Sequence, residues 1–168
     1  MRRLLARVLA EPAAKAPSKP AAKTPAKKTR ANVTYAAELI RWDSAFTLDH
    51  GRIDEEHRKI TRLLNMLYAD WMGSHGKLSP MRVLDELNTT MIRHFLHEES
   101  VMAENKCPHL NEHKVVHRLF VRDLKEIGAM MRSGITDTEI KPQLLTFTRR
   151  LVVDHVLTMD HDMAQYMR

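Results

Sequence analysis

Histidine and carboxylate side chains recur at helical spacing in the middle of this chain. His94 and Glu98 lie four positions apart, and so do His113 and His117. On an α-helix, residues four apart share one face, so each pair can direct two side chains at one point. Pro108 between the pairs interrupts helical hydrogen bonding and predicts a turn between two antiparallel helices. Imidazole with carboxylate is a ligand set suited to iron, zinc, nickel or copper.

Two more histidines fall on the apolar faces of predicted helices. His57 lies on the face of the first, and His155 shares a face with Leu151 and Val152 in the last. A single histidine on such a face is usually a hydrogen-bonded core residue. Five of them on four helices, with Glu98, need a common partner, because an unpaired buried polar group costs about 1–3 kcal/mol. A metal centre would be that partner, and more than four ligands within reach indicate two metal ions rather than one tetrahedral zinc.

Four amphipathic segments carry these side chains, and their apolar residues recur three and four positions apart. The predicted helices run from Ile53 to Met72, from Pro80 to about Glu104, from about His109 to Met131, and from the capping signature Thr136–Glu139 to the C-terminus. The predicted fold is all-α: an antiparallel up-down four-helix bundle. An N-terminal lead-in segment at residues 35–52, with a turn at Gly51, is expected to pack across the end of the bundle.

The N-terminus differs from the rest of the chain in composition. Residues 1–30 contain nine Lys or Arg and one Glu, whereas the remainder contains 18 basic and 20 acidic side chains. Four prolines among Ala and Lys disfavour helix and strand, and little apolar surface offsets the entropy of ordering. We expect residues 1–34 to be a flexible, disordered basic tail and residues 35–168 to be one domain. The tail is either a solvated leader or an electrostatic contact with a polyanion such as nucleic acid.

Composition also narrows the cellular setting. No apolar run approaches the ~20 residues that a membrane span needs. Arg7 interrupts the apolar stretch at the N-terminus, which makes a poor signal peptide. The single cysteine, Cys107, excludes an internal disulfide and fits a reducing compartment, where we expect a buried free thiol. These observations favour a cytoplasmic protein.

Five pieces of the sequence carry a specific resemblance. They are Trp42, IDEEH ending at His57, HFLHEE beginning at His94, PHLNEHKVVH containing His113 and His117, and HVLTMD containing His155 and Asp160. Together they span about residues 42–166 and resemble the hemerythrins, in particular the single-domain bacterial members of that family. The resemblance implies two iron ions with an oxo or hydroxo bridge. One iron would be held by His113, His117 and His155, the other by His57 and His94, and Glu98 and Asp160 would bridge both.

Asp160 enters this ligand set through the resemblance alone. It follows His155 by five residues, which is about 140° around an ideal helix. Spacing therefore does not select it over Asp154 or Asp162. A local widening of the helix, or a carboxylate reaching sideways, would bring Asp160 to the site.

The resemblance implies reversible binding of dioxygen, for carriage, storage or sensing, by a protein that is not an enzyme. The alternative is a di-iron redox enzyme or sensor that handles peroxide or nitric oxide. The chain has none of the Glu-x-x-His repeats of ferritin-like proteins, which argues against a carboxylate-rich oxidase site.

An apolar pocket beside the ligands is expected to keep water from such a site. Its candidate wall residues are Phe95, Ile60, Leu151 and Val152, with ordinary core packing as an equal alternative for each. Family members often have Trp where this chain has Leu151. A smaller side chain there is expected to leave the pocket wetter.

Three polar residues close to the ligands in sequence need separate interpretation. His97 and His109 have spacings that a ligand could have, but we expect them at the surface or hydrogen-bonded around the site. Glu99 is expected to be a solvated neighbour of Glu98.

Overall fold

The computed structural model describes residues 38–73 and 79–167, and the predicted tail at residues 1–34 lies outside that range. The elements are a 3₁₀ turn at Ser44–Phe46, helices α1 (Gly51–Trp71), α2 (Pro80–Glu104), α3 (Leu110–Arg132) and α4 (Asp137–Arg149), a π-helical segment at Arg150–Asp160, and a short helix α5 (His161–Ala164). The described residues contain no strand. The predicted all-α class is confirmed.

The helices form a bundle in which neighbours in sequence are neighbours in space. Helix α1 packs on α2, α2 on α3, and α3 on α4, while α4 also contacts α1. Only a few residues separate α2 from α3 and α3 from α4. Connections this short reverse the chain direction, which gives the up-down arrangement.

The helix ends follow the predicted signals closely. The Ser79 hydroxyl accepts a hydrogen bond from the Arg82 amide at 3.5 Å, and Pro80 is the first residue of α2. Thr136 precedes α4 as predicted, but its hydroxyl bonds the Glu139 carboxylate at 2.9 Å instead of a backbone amide. The residues of the predicted capping box are in place, but its side-chain to backbone hydrogen bonds are not formed.

One predicted local feature is wrong, and a second takes one of the two forms that the sequence left open. Gly51 does not make the turn of the lead-in segment, because it is the first residue of α1. The turn lies at Asp49, whose φ of 58° is in the left-handed region that aspartate tolerates better than most residues. The last helix is not a regular α-helix to the C-terminus, since it widens to π-helix from Arg150 to Asp160.

The core consists of the inward faces of the four helices. Its fully buried side chains include Leu64, Leu87, Met91, Phe120 and Leu124. A smaller cluster contains Met102, Cys107 and Met163, so the thiol is free and buried as expected. Because each helix also has a polar outer face, no helix in the described ranges is apolar over a length that could cross a membrane.

The lead-in segment is fixed to the bundle at three points. The Ile40 amide donates to Asn65 Oδ1 at 2.9 Å, and Asn65 Nδ2 donates to the Ile40 carbonyl at 2.8 Å. The Leu48 amide donates to the buried Asp54 carboxylate at 2.8 Å. His161 Nε2 lies 2.9 Å from the Ala45 carbonyl oxygen. These bonds hold residues 38–50 against α1 and α5.

We predict that Leu87→Ala lowers the free energy of unfolding by about 2–5 kcal/mol, because it opens a cavity at a fully buried position. Leu96→Ala is the matched control, since Leu96 is on the same helix and 64% exposed. It should change the free energy of unfolding by no more than about 0.5 kcal/mol. Urea denaturation followed by circular dichroism measures both. Equal losses in the two variants would contradict the packing of α2.

Candidate metal centre

The seven predicted ligands meet inside the bundle. Each is at most 2% exposed, although all are polar or charged. Helix α1 supplies His57, α2 supplies His94 and Glu98, α3 supplies His113 and His117, and the π-helical segment supplies His155 and Asp160. The side chains come from four elements, so their meeting point depends on the whole bundle.

The histidines fall into two unequal groups. His113, His117 and His155 lie with Glu98 in one group, and His57 and His94 lie with Glu98 in the other. Within each group the candidate ligand atoms are all within 4.8 Å of one another. Nε2 of His57 is 3.0 Å from Nε2 of His94, and Nε2 of His117 is 3.1 Å from Nε2 of His155. The imidazoles therefore converge through the same nitrogen, as ligands of a shared cation do.

The Asp160 carboxylate lies between the two groups. Its Oδ1 is 3.0 Å from His113 Nε2 and 3.3 Å from His155 Nε2, while its Oδ2 is 3.3 Å from His57 Nε2. Its two oxygens thus face different groups.

Glu98 also reaches both groups. Its Oε2 is 3.1 Å from His117 Nε2, 3.5 Å from His113 Nε2 and 3.8 Å from His94 Nε2. Two carboxylates in these positions have the geometry to bridge a pair of cations.

The π-helical segment explains how Asp160 arrives at the site. In a π-helix the hydrogen bonds run between residues five apart, so His155 and Asp160 stand one above the other. In a regular α-helix Asp160 would point well away from His155. The same widening puts Leu151 and Val156, also five apart, on one wall of a cavity beside the ligands. This is the local widening that the sequence left as one of two possibilities.

The polar atoms at the centre lack hydrogen-bond partners. Both oxygens of Glu98, both oxygens of Asp160 and Nε2 of His113 are buried without one in the described structure. A buried polar group without a partner is destabilising, and a buried carboxylate much more so. A cation bound between these atoms would satisfy all of them at once. The residues therefore fit a metal centre.

The charges of the metal-free site favour a cation. Burial and the charge of Asp160 would raise the pKa of Glu98, but the neighbouring histidines lower it far below its usual range. Burial likewise opposes ionisation of Asp160, and His155, His113 and His57 lower its pKa. For His113, burial would lower the pKa, but contact with Asp160 and Glu98 raises it to about 10. The lowered pKa of both carboxylates and the raised pKa of His113 have one cause, which is that the centre favours positive charge.

Two carboxylates outside the centre orient its histidines. Oε2 of Glu56 accepts from Nδ1 of His94 at 3.2 Å and from Nδ1 of His97 at 2.9 Å. Burial alone would raise the pKa of Glu56, but these two histidines lower it to about 2. Such a bond leaves Nε2 of His94 free to face a metal. His97 thus hydrogen-bonds around the site, one of its two expected placements.

Glu99 holds a histidine of the other group. Its Oε1 accepts from Nδ1 of His117 at 2.9 Å, so the expectation of a solvated neighbour is wrong. The sequence did contain a signal for both carboxylates. Glu56 directly precedes His57, and Glu99 directly follows Glu98, which places each beside the site but turned toward a different helix.

A narrow apolar cavity adjoins the two-histidine group. Its wall includes His57, His94 and His155, and it contains three of the four predicted wall residues, Ile60, Leu151 and Val152. The centre of a water molecule can occupy a volume of about 10 Å³ in this cavity, which is enough for about one water molecule. The pocket is narrow, and Trp42 and Phe46 of the lead-in segment complete its wall; the wetter pocket expected from Leu151 stays a prediction.

Phe95, the fourth predicted wall residue, is not part of this cavity wall. Its ring stacks on His117 with the centroids 3.8 Å apart and the planes at 12°. It thereby packs against the three-histidine group. The sequence could not separate these roles, because Phe95 is adjacent to His94 and one helical face passes close to both groups.

The fold and the site define a four-helix-bundle metal-binding protein. Residues 49–167 match the family model of the hemerythrin HHE cation binding domain. The chain belongs to the hemerythrin family.

Individual relatives are similar over most of their length. A bacteriohemerythrin from Stenotrophomonas maltophilia (strain R551-3) is 27% identical over 130 residues, which is 77% of this chain and 82% of that protein. A hemerythrin-like protein from Naegleria gruberi is 30% identical over 122 residues, 71% of this chain and 86% of that protein. Myohemerythrin-1 from Phascolopsis gouldii is 28% identical over 119 residues, 71% and 87% of the two chains. The chain is of the bacteriohemerythrin type.

We predict that Glu56→Ala lowers the affinity of the metal-free protein for Co²⁺ or Zn²⁺ by about 10- to 100-fold, because His94 loses the acceptor that orients it. Glu55→Ala is the matched control. Glu55 is the adjacent, exposed carboxylate, and its substitution by alanine removes the same charge. Competition titration against a chelator measures both affinities. Equal affinities for the two variants would show that Glu56 does not orient a ligand.

Proposed function

We propose that this protein binds dioxygen reversibly at a centre of two iron ions joined by an oxo or hydroxo bridge. One observation carries the proposal: two buried histidine groups of unequal size share two carboxylates, and an apolar cavity adjoins the smaller group. Membership of the hemerythrin family supports it. So does the similarity to proteins named bacteriohemerythrin and myohemerythrin.

The proposed ligand assignment follows the two groups. His113, His117 and His155 would hold one iron, and His57 and His94 the other. Glu98 and Asp160 would bridge them, which their contacts with both groups support. When bound, two ferrous ions supply the two electrons that dioxygen takes up. With only two histidines, the second iron would have a free coordination position, and the cavity wall includes both of its histidines.

The surrounding residues protect that position from water. Ile60, Leu151, Val152 and Val156 make the cavity wall largely apolar, and all four are buried. A wall of this kind admits a small neutral molecule more readily than an ion or a proton donor. Apart from the proposed ligands, the only polar side chains in the wall are Trp42 and Thr61. Neither titrates near neutral pH, so neither can deliver a proton to a bound ligand at a useful rate.

The same cavity argues against the alternative of an enzyme that turns over peroxide. General acid–base catalysis needs a titratable group within hydrogen-bonding reach of the reacting atoms. The described wall contains none besides histidines already assigned as ligands. The cavity also has room for about one water-sized molecule and not for a second substrate. We therefore propose a binding protein that carries, stores or senses oxygen in the cytoplasm. A polyanion contact through the basic tail remains a prediction from the sequence.

The test is an absorption spectrum of the purified protein, with iron quantified. It is recorded reduced without air, then oxygenated, then after purging with an inert gas. We expect about two irons per chain and a visible band that appears with oxygen and disappears on purging. A band that appears once and never reverses would contradict reversible binding and favour a redox enzyme or sensor. Zinc in place of iron would contradict the di-iron centre.

We also predict that Leu151→Ala shortens the lifetime of the oxygenated protein several-fold, because a larger cavity admits water to the bound ligand. Leu145→Ala is the control, since Leu145 lies on the preceding helix and is 39% exposed. The decay of the visible band measures the lifetime. The reverse change, Leu151→Trp, would overfill so small a cavity. Identical decay in the two alanine variants would contradict a protective role for this wall.

A further inference from the structure

A second space lies outside the cavity, on the other side of Trp42. It is a surface groove of about 290 Å³ between the lead-in segment and α1. Trp42 and Thr61 belong to the walls of both the groove and the inner cavity. The indole ring and the threonine side chain therefore form the partition between solvent and the space beside the proposed metal ligands.

Two contacts from different sides hold the indole in place. Phe46, a residue of the cavity wall, stacks on Trp42 with the ring centroids 5.1 Å apart and the planes at 28°. Arg58, a residue of the groove wall, places its guanidinium carbon 5.3 Å from the centroid of the same ring. Arg58 is exposed and Trp42 is half-buried. Contacts of these kinds are individually weak and can break without disturbing a helix.

The backbone on both sides of Trp42 is held by hydrogen bonds, whereas its ring is held by packing contacts alone. The bonds between Ile40 and Asn65 and between Leu48 and Asp54 anchor the segment before and after it. The indole itself has no hydrogen bond among those described for this part of the chain. A rotation of the ring can therefore open the partition with the segment still attached.

Among the described residues, packed aromatic rings lie beside the three-histidine group. There the ring of Phe95 lies flat against His117 at 3.8 Å, and Phe120 packs on His155 with centroids 5.3 Å apart. These rings are buried in the main core. Trp42 packs against the same core but is only half-buried, and at Trp42 the groove brings solvent to within one side chain of the cavity.

We propose that Trp42 is the gate through which small ligands pass between the groove and the cavity beside His57 and His94, and that Arg58 is its latch. Only small molecules would pass, because the cavity has room for about one water molecule in this structure. The inference rests on the proposed function for its metal ligands but not on reversible oxygen binding. A gate sets the rates at which a ligand enters and leaves, and leaves its equilibrium affinity unchanged.

The experiment uses azide as the probe and the oxidised, iron-loaded protein. Stopped-flow absorption gives the association and dissociation rate constants, and a titration gives Kd. In Arg58→Ala both rate constants should rise about two- to fivefold, as expected for loss of an exposed cation–π contact. In Trp42→Ala both should rise at least tenfold, because the partition is gone. In Arg58→Ala, which lies outside the cavity wall, Kd should stay within about twofold of the parent.

Arg62→Ala is the matched control for the latch. Arg62 belongs to the wall of the same groove, and its substitution by alanine removes the same charge. The described hydrogen bond of Arg62 is to the Arg58 carbonyl, not to Trp42. Its rate constants should equal those of the parent. If Arg58→Ala changes the rate constants no differently from Arg62→Ala, the contact of Arg58 with Trp42 does not control access and the latch is overturned. If Trp42→Ala binds azide at the parent rate, the gate is overturned.

A second measurement needs neither iron nor a stable Trp42→Ala variant. In the Trp71→Phe background the only tryptophan left is Trp42. In metal-free protein, quenching of its fluorescence by acrylamide should increase in Arg58→Ala and not in Arg62→Ala. Unchanged quenching in Arg58→Ala would overturn the latch. An absorption band that appears with oxygen and does not disappear on purging would contradict the proposed function. It would not affect the conclusions from the azide rate constants and the fluorescence quenching.

Discussion

Two ionised carboxylates in the interior of a helical bundle are the constraint on which the rest of this structure depends. Glu98 and Asp160 have no exposed surface and no hydrogen-bond partner in the described structure. Burial of such charges is costly unless cations surround them. A metal centre held by the five histidines would supply that positive charge, so each helix must keep its register for its imidazole to reach the centre. Cation binding would complete this arrangement, so metal affinity and bundle stability are coupled.

The parts of this arrangement that were predictable from sequence are those set by local periodicity. A face of residues three and four apart fixes which side of α2 or α3 turns inward, so His94, Glu98, His113 and His117 could be grouped before the structure was known. Capping and turn chemistry located Ser79 and Pro80 for the same reason. Such signals are short-range, and the bundle preserves them because each helix buries one face only.

The parts that could not be predicted depend on contacts between elements. Asp160 faces the site because the last helix widens, and no residue type in Arg150–Asp160 marks a π-helix by itself. Glu99 meets His117 only after α2 and α3 have packed. Phe95 packs against the three-histidine group and does not line the cavity. Both positions lie on the same face of the helix, and side-chain packing determines which of them the ring occupies. Periodicity resolves the face of a helix but not the neighbour it meets.

The unequal surroundings of the two histidine groups follow from this packing, and they bear directly on the proposed function. Aromatic rings pack against His117 and His155, whereas the cavity is lined by both His57 and His94 and reaches only His155 of the other group. The space for a ligand therefore lies mainly beside the two-histidine group. That cavity is closed by a segment outside the four helices, because Trp42 and Phe46 complete its wall. The bundle positions the ligands, and the segment that precedes it decides what reaches them.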